Sequence, residues 1–107
     1  MGDGTNRKGR QMGLEQKIQR HREEIIEIAA SHGASAVRIF GSVARGEPTA
    51  GSDLDVLVKL DPDRSLFDQI ALKQDLEELL GCSVDVVVEG GISPYLEERI
   101  LAEARPL

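Results

Sequence analysis

Two stretches of this 107-residue chain carry side chains whose types and spacing suit chemistry. The first is Gly41-Ser42-Val43-Ala44-Arg45-Gly46-Glu47, followed at once by Ser52-Asp53-Leu54-Asp55-Val56; the second is Val84-Asp85-Val86-Val87-Val88. In a strand, residues i and i+2 face the same side, so Asp53 and Asp55 project together. Two adjacent carboxylates repel, and each resists ionising unless a cation sits between them. Paired carboxylates on a rigid strand suit a hard, oxygen-seeking ion such as Mg²⁺. Asp85 lies in an otherwise apolar strand, where a charge is costly unless paired or metal-bound. If that strand lies beside the first, three carboxylates converge. Such a trio can hold two metals about 3.5–4 Å apart, the arrangement used for in-line phosphoryl displacement.

Gly41 and Ser42 meet the complementary need, a phosphate cradle. A glycine after a strand lets backbone approach a phosphate closely, the helix start that follows offers N–H groups, and the Ser42 hydroxyl adds a hydrogen bond. Arg45, about one turn on, can neutralise phosphate charge. Taken singly, each feature has an ordinary structural explanation: a turn and cap, an exposed strand edge, a surface arginine, Glu47 as a loop solubiliser. Their combination in this order is hard to explain as separate accidents.

The elements that must position these residues follow from pattern. Residues 1–13 are Gly-rich and polar, lack an apolar period and read as an unstructured tail. From Leu14, the spacing of Leu14, Ile18, Ile25 and Ile28 predicts a helix stopped by Gly33. Ala36–Phe40 reads as a strand, Ser42 to Arg45 as a short helix, 47–52 as a loop and Asp53–Leu60 as a second strand. Ser65 with Asp68 forms a capping box for a helix to Leu80, with Leu66, Ile70, Leu76 and Leu80 on its inner side, and Gly81 ends it. Val84–Val88 is the third strand, and Ser93-Pro94 opens a last helix. The order predicts an α/β fold, a small mixed sheet flanked by helices, in one domain over 14–107; the link between the first two strands is short for a parallel crossover.

Composition limits the partners. The net charge is −6; residues 1–13 hold one acid and three bases, so the remainder carries −8. So acidic a body is a poor bulk binder of nucleic acid but suits a basic protein or carboxylates gathered around metals. No apolar run approaches the ~20 residues of a membrane span and no secretory leader is evident, so a cytoplasmic location is expected. The single cysteine, Cys82, agrees with that and has no evident histidine to activate it. His21 and His32 lack partner ligands at useful spacing and read as helix-surface residues. Tyr95, the only tyrosine, reads as packing at a helix start.

With those residues in view, the chain resembles the DNA polymerase β-like nucleotidyltransferases in their minimal (MNT) branch. Gly41-Ser42, Ala44-Arg45-Gly46-Glu47 and Ser52-Asp53-Leu54-Asp55 look like that family's signature, and Asp85 matches its third metal-binding acid. The resemblance implies two Mg²⁺ ions held by Asp53, Asp55 and Asp85, and ATP as substrate with Gly41, Ser42 and Arg45 on its phosphates. Larger relatives carry an acceptor-binding domain for which this chain is too short, so a partner is expected to supply the acceptor. Minimal members are similar to the antitoxin half of HEPN/MNT toxin–antitoxin modules. The implied reaction is AMP transfer to a tyrosine hydroxyl of an RNA-cleaving HEPN toxin, and the acidic body suits such a basic partner. Two other readings stay open: an antitoxin that blocks its partner by contact alone, and a nucleotidyltransferase acting on a small molecule such as an aminoglycoside.

Overall fold

A computed structural model describes residues 14–45 and 54–107. The elements, in chain order, are α1 (Leu14–Arg20), α2 (Arg22–Ser31), β1 (Ala34–Phe40), α3 (Gly41–Ala44), β2 (Leu54–Leu60), α4 (Leu66–Leu80), β3 (Val84–Val88), α5 (Pro94–Glu103) and β4 (Arg105–Pro106). The expected tail at 1–13 and the loop at 47–52 lie outside the described residues, as does Asp53.

The strands form one sheet in the order β3-β2-β1-β4. β1 runs antiparallel to β2 and β4, whereas β2 and β3 are parallel. The expected mixed sheet is therefore present, with α4 supplying the crossover that a parallel pair requires. Where the sequence suggested one helix from Leu14, there are two, separated at His21. The His21 backbone still accepts from Ile25 N–H and donates to the Lys17 carbonyl, so the break is slight. The His21 Nδ1 pairs with Glu24 at 2.6 Å, and His32 Nε2 with Asp75 at 2.7 Å, as surface residues. β1 starts two residues earlier than expected. Its pairing shifts register between Ser35 and Arg38 at Ala36, whose φ is +51°, so the small residues 34–36 form a bulged strand that no alternation announces.

The sheet has two unlike faces. Ile39, Leu54, Val56, Val58, Val84 and Val86 face a core with Ile18, Ile25, Ala29, Leu72, Leu76 and Leu80 of α1, α2 and α4. Phe40 and Leu57 face the other way, where Ile100 of α5 covers them. Leu54 and Val56 thus turn into the core, as strand alternation requires, and Asp55 between them turns toward α5. The inner stripe of α4 is Leu72, Leu76 and Leu80, not Leu66 and Ile70, which are 65% and 42% exposed. At 100° per residue, Ile70 stands roughly 200° around the helix from Leu72, so the two cannot share a face. The Ser65 capping box is formed, with Phe67 N–H donating to Ser65 Oγ and Ser65 N–H to Asp68. Gly81 closes the helix at φ +69°.

β3 is an edge strand, and three of its outward polar groups are capped from within the chain. Val84 N–H donates to Glu77 (3.0 Å), Gln69 Nε2 donates to the Val86 carbonyl (2.8 Å) and Gly91 N–H to the Val88 carbonyl (3.0 Å). Lys73 at 2.6 Å, with the Val84 N–H, holds the Glu77 carboxyl below the usual glutamate range. A depressed carboxyl pKa contributes stability above its unfolded value and loses it as pH falls through the folded value. Glu77→Gln is therefore expected to melt lower than wild type at neutral pH. The gap should close as pH drops below the ordinary carboxylate range; a gap unchanged down to strong acid would show that the charge is not what matters. Among the described residues, no helix is long and apolar enough to cross a membrane.

Candidate active site

The register of three strands assembles the site. Phe40 of β1 pairs with Asp55 of β2, and Asp55 with Asp85 of β3, in one row across the sheet. Neighbouring strands lie about 4.8 Å apart, so two carboxylates in one row and on one face are close enough to share a cation. Asp55 is half-buried and Asp85 exposed. The convergence of these two acids, expected only if their strands were neighbours, is thus present. Asp53 lies outside the described residues, and among those described no group of three or more His, Cys, Asp or Glu comes together to hold a metal. The donor set that is present, carboxylate oxygens without sulfur or imidazole, fits a hard divalent ion and not a soft one.

Gly41 follows β1 directly and has φ +80°, in the left-handed region that favours glycine. Its Cα is pressed onto Asp55, and a Cβ there would run into the carboxylate oxygen Oδ2. The missing side chain thus leaves room for the Asp55 carboxylate where it stands, a role beyond the phosphate approach expected of the glycine. α3 is a single turn, so what it offers an anion is its N–H groups and little macrodipole. Ser42 is half-buried at its second position.

Between these residues and α5 lies a cleft of about 530 Å³. Gly41, Arg45, Asp55 and Asp85 line one side, and Leu96, Arg99, Ile100 and Glu103 the other. Those four α5 residues are spaced i, i+3, i+4, i+7, so they share a helix face. Glu103 has no counterpart among the residues singled out from sequence. Its Oε1 accepts from Gly41 N–H at 3.0 Å, and its Oε2 from Arg45 Nη1 at 2.6 Å. The Arg45 guanidinium, then the Gly41 N–H, hold the Glu103 carboxyl below its usual range. Arg99 was likewise passed over. The helical spacing from Leu96 was the signal available for both, but it says nothing about which neighbour that face meets. Tyr95 does not pack at its helix start; it is 74% exposed, because it faces away from the Leu96–Ile100 side.

Residues 18–107 match the model of the family described as "Nucleotidyltransferase domain". The chain belongs to this family. A nucleotidyltransferase of Methanocaldococcus jannaschii, provisionally named a protein adenylyltransferase, is 46% identical over 83 residues, which cover 78% of this chain and 89% of the relative. The protein adenylyltransferase MntA of Thermococcus cleftensis is 33% identical over 90 residues, 84% of this chain and 88% of that one. Among solved structures, one provisionally described as a minimal nucleotidyltransferase superposes with a TM-score of 0.80 at 48% identity, covering 87% of this chain and 95% of the other. At 20% identity, likeness of fold alone extends to a complex of MNT antitoxin with a tri-AMPylated Shewanella oneidensis HEPN toxin, with a TM-score of 0.64 over 82% of this chain and 69% of that one. The fold expected from the resemblance, a small mixed sheet flanked by helices, is the fold of this nucleotidyltransferase.

Proposed function

We propose that this nucleotidyltransferase transfers AMP from Mg-ATP to a tyrosine hydroxyl of a cognate HEPN ribonuclease toxin, and so acts as its antitoxin. The observation that carries the reading is the paired row of Asp55 and Asp85 facing a cleft whose near wall is the Gly41–Arg45 turn. The relatives named protein adenylyltransferase, and the AMP-bearing HEPN toxin held by an MNT antitoxin of like fold, support the choice of nucleotide and acceptor.

In the reaction, the acceptor oxygen attacks the α-phosphorus of ATP. The new O–P bond forms as the bond between the α-phosphorus and the oxygen bridging to the β-phosphate breaks; the hydroxyl proton passes to solvent water and pyrophosphate leaves. Asp55 and Asp85, with Asp53, are the residues that would hold two Mg²⁺ ions. When bound, these ions supply the charge that makes the attacking hydroxyl more acidic and the pyrophosphate a better leaving group. Gly41 keeps the Asp55 carboxylate in place while its turn, with Ser42 and Arg45, receives phosphate oxygens. The acidic body favours encounter with a basic acceptor protein.

Label transfer tests this. ATP labelled at the α-phosphate is mixed with Mg²⁺ and the protein, with and without the cognate HEPN protein. Label on the partner's tyrosine is the expected result. A stable complex that blocks the toxin yet carries no label would replace transfer with inhibition by contact. Label on an aminoglycoside or another small molecule, and none on protein, would move the acceptor to that class.

A further inference from the structure

The carboxylate of Glu103 bridges two points that the proposed reaction uses separately, the Gly41 N–H and the Arg45 guanidinium. Neither contact is local, since Glu103 lies at the end of α5, 62 and 58 residues further along the chain. α5 also carries Leu96, Arg99 and Ile100, the opposite wall of the cleft. The bridge therefore ties that wall to the turn. On its other side the turn faces Asp55, so closely that a side chain at Gly41 would run into that carboxylate. A displacement of Glu103 would thus be felt by the turn and by Arg45 together, beside Asp55. An arginine offers five N–H donors in a rigid plane, and the Glu103 bond, through Nη1, constrains how that plane is presented.

We propose that Glu103 is a positioning residue for nucleotide binding: by holding Gly41 N–H and Arg45 Nη1 at once, it fixes the phosphate-receiving turn and the width of the cleft. The proposal rests on the assignment of Gly41 and Arg45 to the nucleotide. It differs from a simple competitor role, in which Glu103 fills the phosphate's own seat and must leave when ATP arrives. The two predict opposite signs. Loss of a positioning carboxylate weakens nucleotide binding, whereas loss of a competitor tightens it.

The test is a mutant cycle read by calorimetric titration with Mg²⁺ and a non-hydrolysable ATP analogue, so that no acceptor is needed. The proteins are wild type, E103Q, E103A, R45A and R45A/E103A, each first melted to set a temperature at which it is folded. E103A should weaken binding about tenfold, the scale of one charge-assisted hydrogen bond. E103Q, which keeps the length but presents one acceptor oxygen, should fall between wild type and E103A. On the R45A background E103A should lose clearly less affinity than in wild type, because the share that runs through Arg45 is already gone while the Gly41 contact remains to be lost. Tighter binding by E103Q would overturn the proposal in favour of the competitor. Equal losses with and without Arg45 would overturn it in favour of general support of the fold. If the analogue binds wild type and R45A alike, the assignment of Arg45 fails and the proposal falls with it. If it does not bind wild type at all, the functional reading itself fails, a result distinguishable from the others.

Discussion

Asp55→Asn and Asp85→Asn should each cut nucleotidyl transfer by more than about a hundredfold while leaving the fold standing. The size follows from comparison: losing an outer-shell partner of a metal ligand typically costs about 10–100-fold, so losing a ligand costs more. The fold survives because neither side chain is part of either apolar core. The replacement also removes one of two like charges in a single row of the sheet. Asp53→Asn should behave in the same way. Two readouts separate chemistry from folding. Initial rates report the loss. Melting with and without Mg²⁺ reports its cause, since an ion that binds only the folded state raises the wild-type midpoint and should raise it less in each variant. A variant that kept transfer within a few-fold of wild type would remove that aspartate from the metal site.

Gly41→Ala should be nearly as damaging, for a reason that involves no charge. The backbone at φ +80° disfavours any side chain by roughly 1–2 kcal/mol. The new methyl group would also collide with the Asp55 carboxylate. Misplacing a reacting group by about 1 Å can cost on the order of a hundredfold in rate, and the same scale is expected here. Gly90→Ala is the matched control. Its φ is +87°, but nothing lies within 4 Å of an added Cβ. It should share the backbone cost without the collision, and so lower the melting point while preserving kcat. If both glycine variants lost activity equally, the contact with Asp55 would not be the cause.

The site was legible where the chemistry lay in residues close together in sequence. Asp-x-Asp on a strand announces two carboxylates on one face, and the structure puts Asp55 on the α5 face as alternation demands. Asp85 was legible by its cost, a charge in an apolar run, and the parallel register of β2 and β3 brings it opposite Asp55. Glu103 was not legible. Its partners are around 60 residues away, and in sequence it is one more acid near the end of an acidic helix. The fold shows the same division. Caps and alternating strands were readable because local physics sets them, as at Ser65 and Gly81. The inner face of α4 departs from the stripe through Leu66 and Ile70, because which apolar stripe turns inward depends on the sheet it meets. β4 has two residues, too few to show any period; it exists because Arg38 and Ile39 offer it an edge.

The capping of β3 has a consequence for access. Sheets commonly recruit partners by accepting an additional strand along an exposed rim, and such rims are also where chains aggregate. The rim next to Asp85 is obstructed for that route, since Glu77, Gln69 and Gly91 occupy three of its polar groups. An extended segment would have to displace these contacts before it could dock there and lay its side chains over the carboxylates. Under the proposed function, a macromolecular acceptor is then expected at the mouth of the cleft, bringing its hydroxyl on something that protrudes, a loop or the end of a helix. Selectivity for such an acceptor would then be set by the shape of that protrusion and the residues around the mouth, with little contribution from backbone pairing.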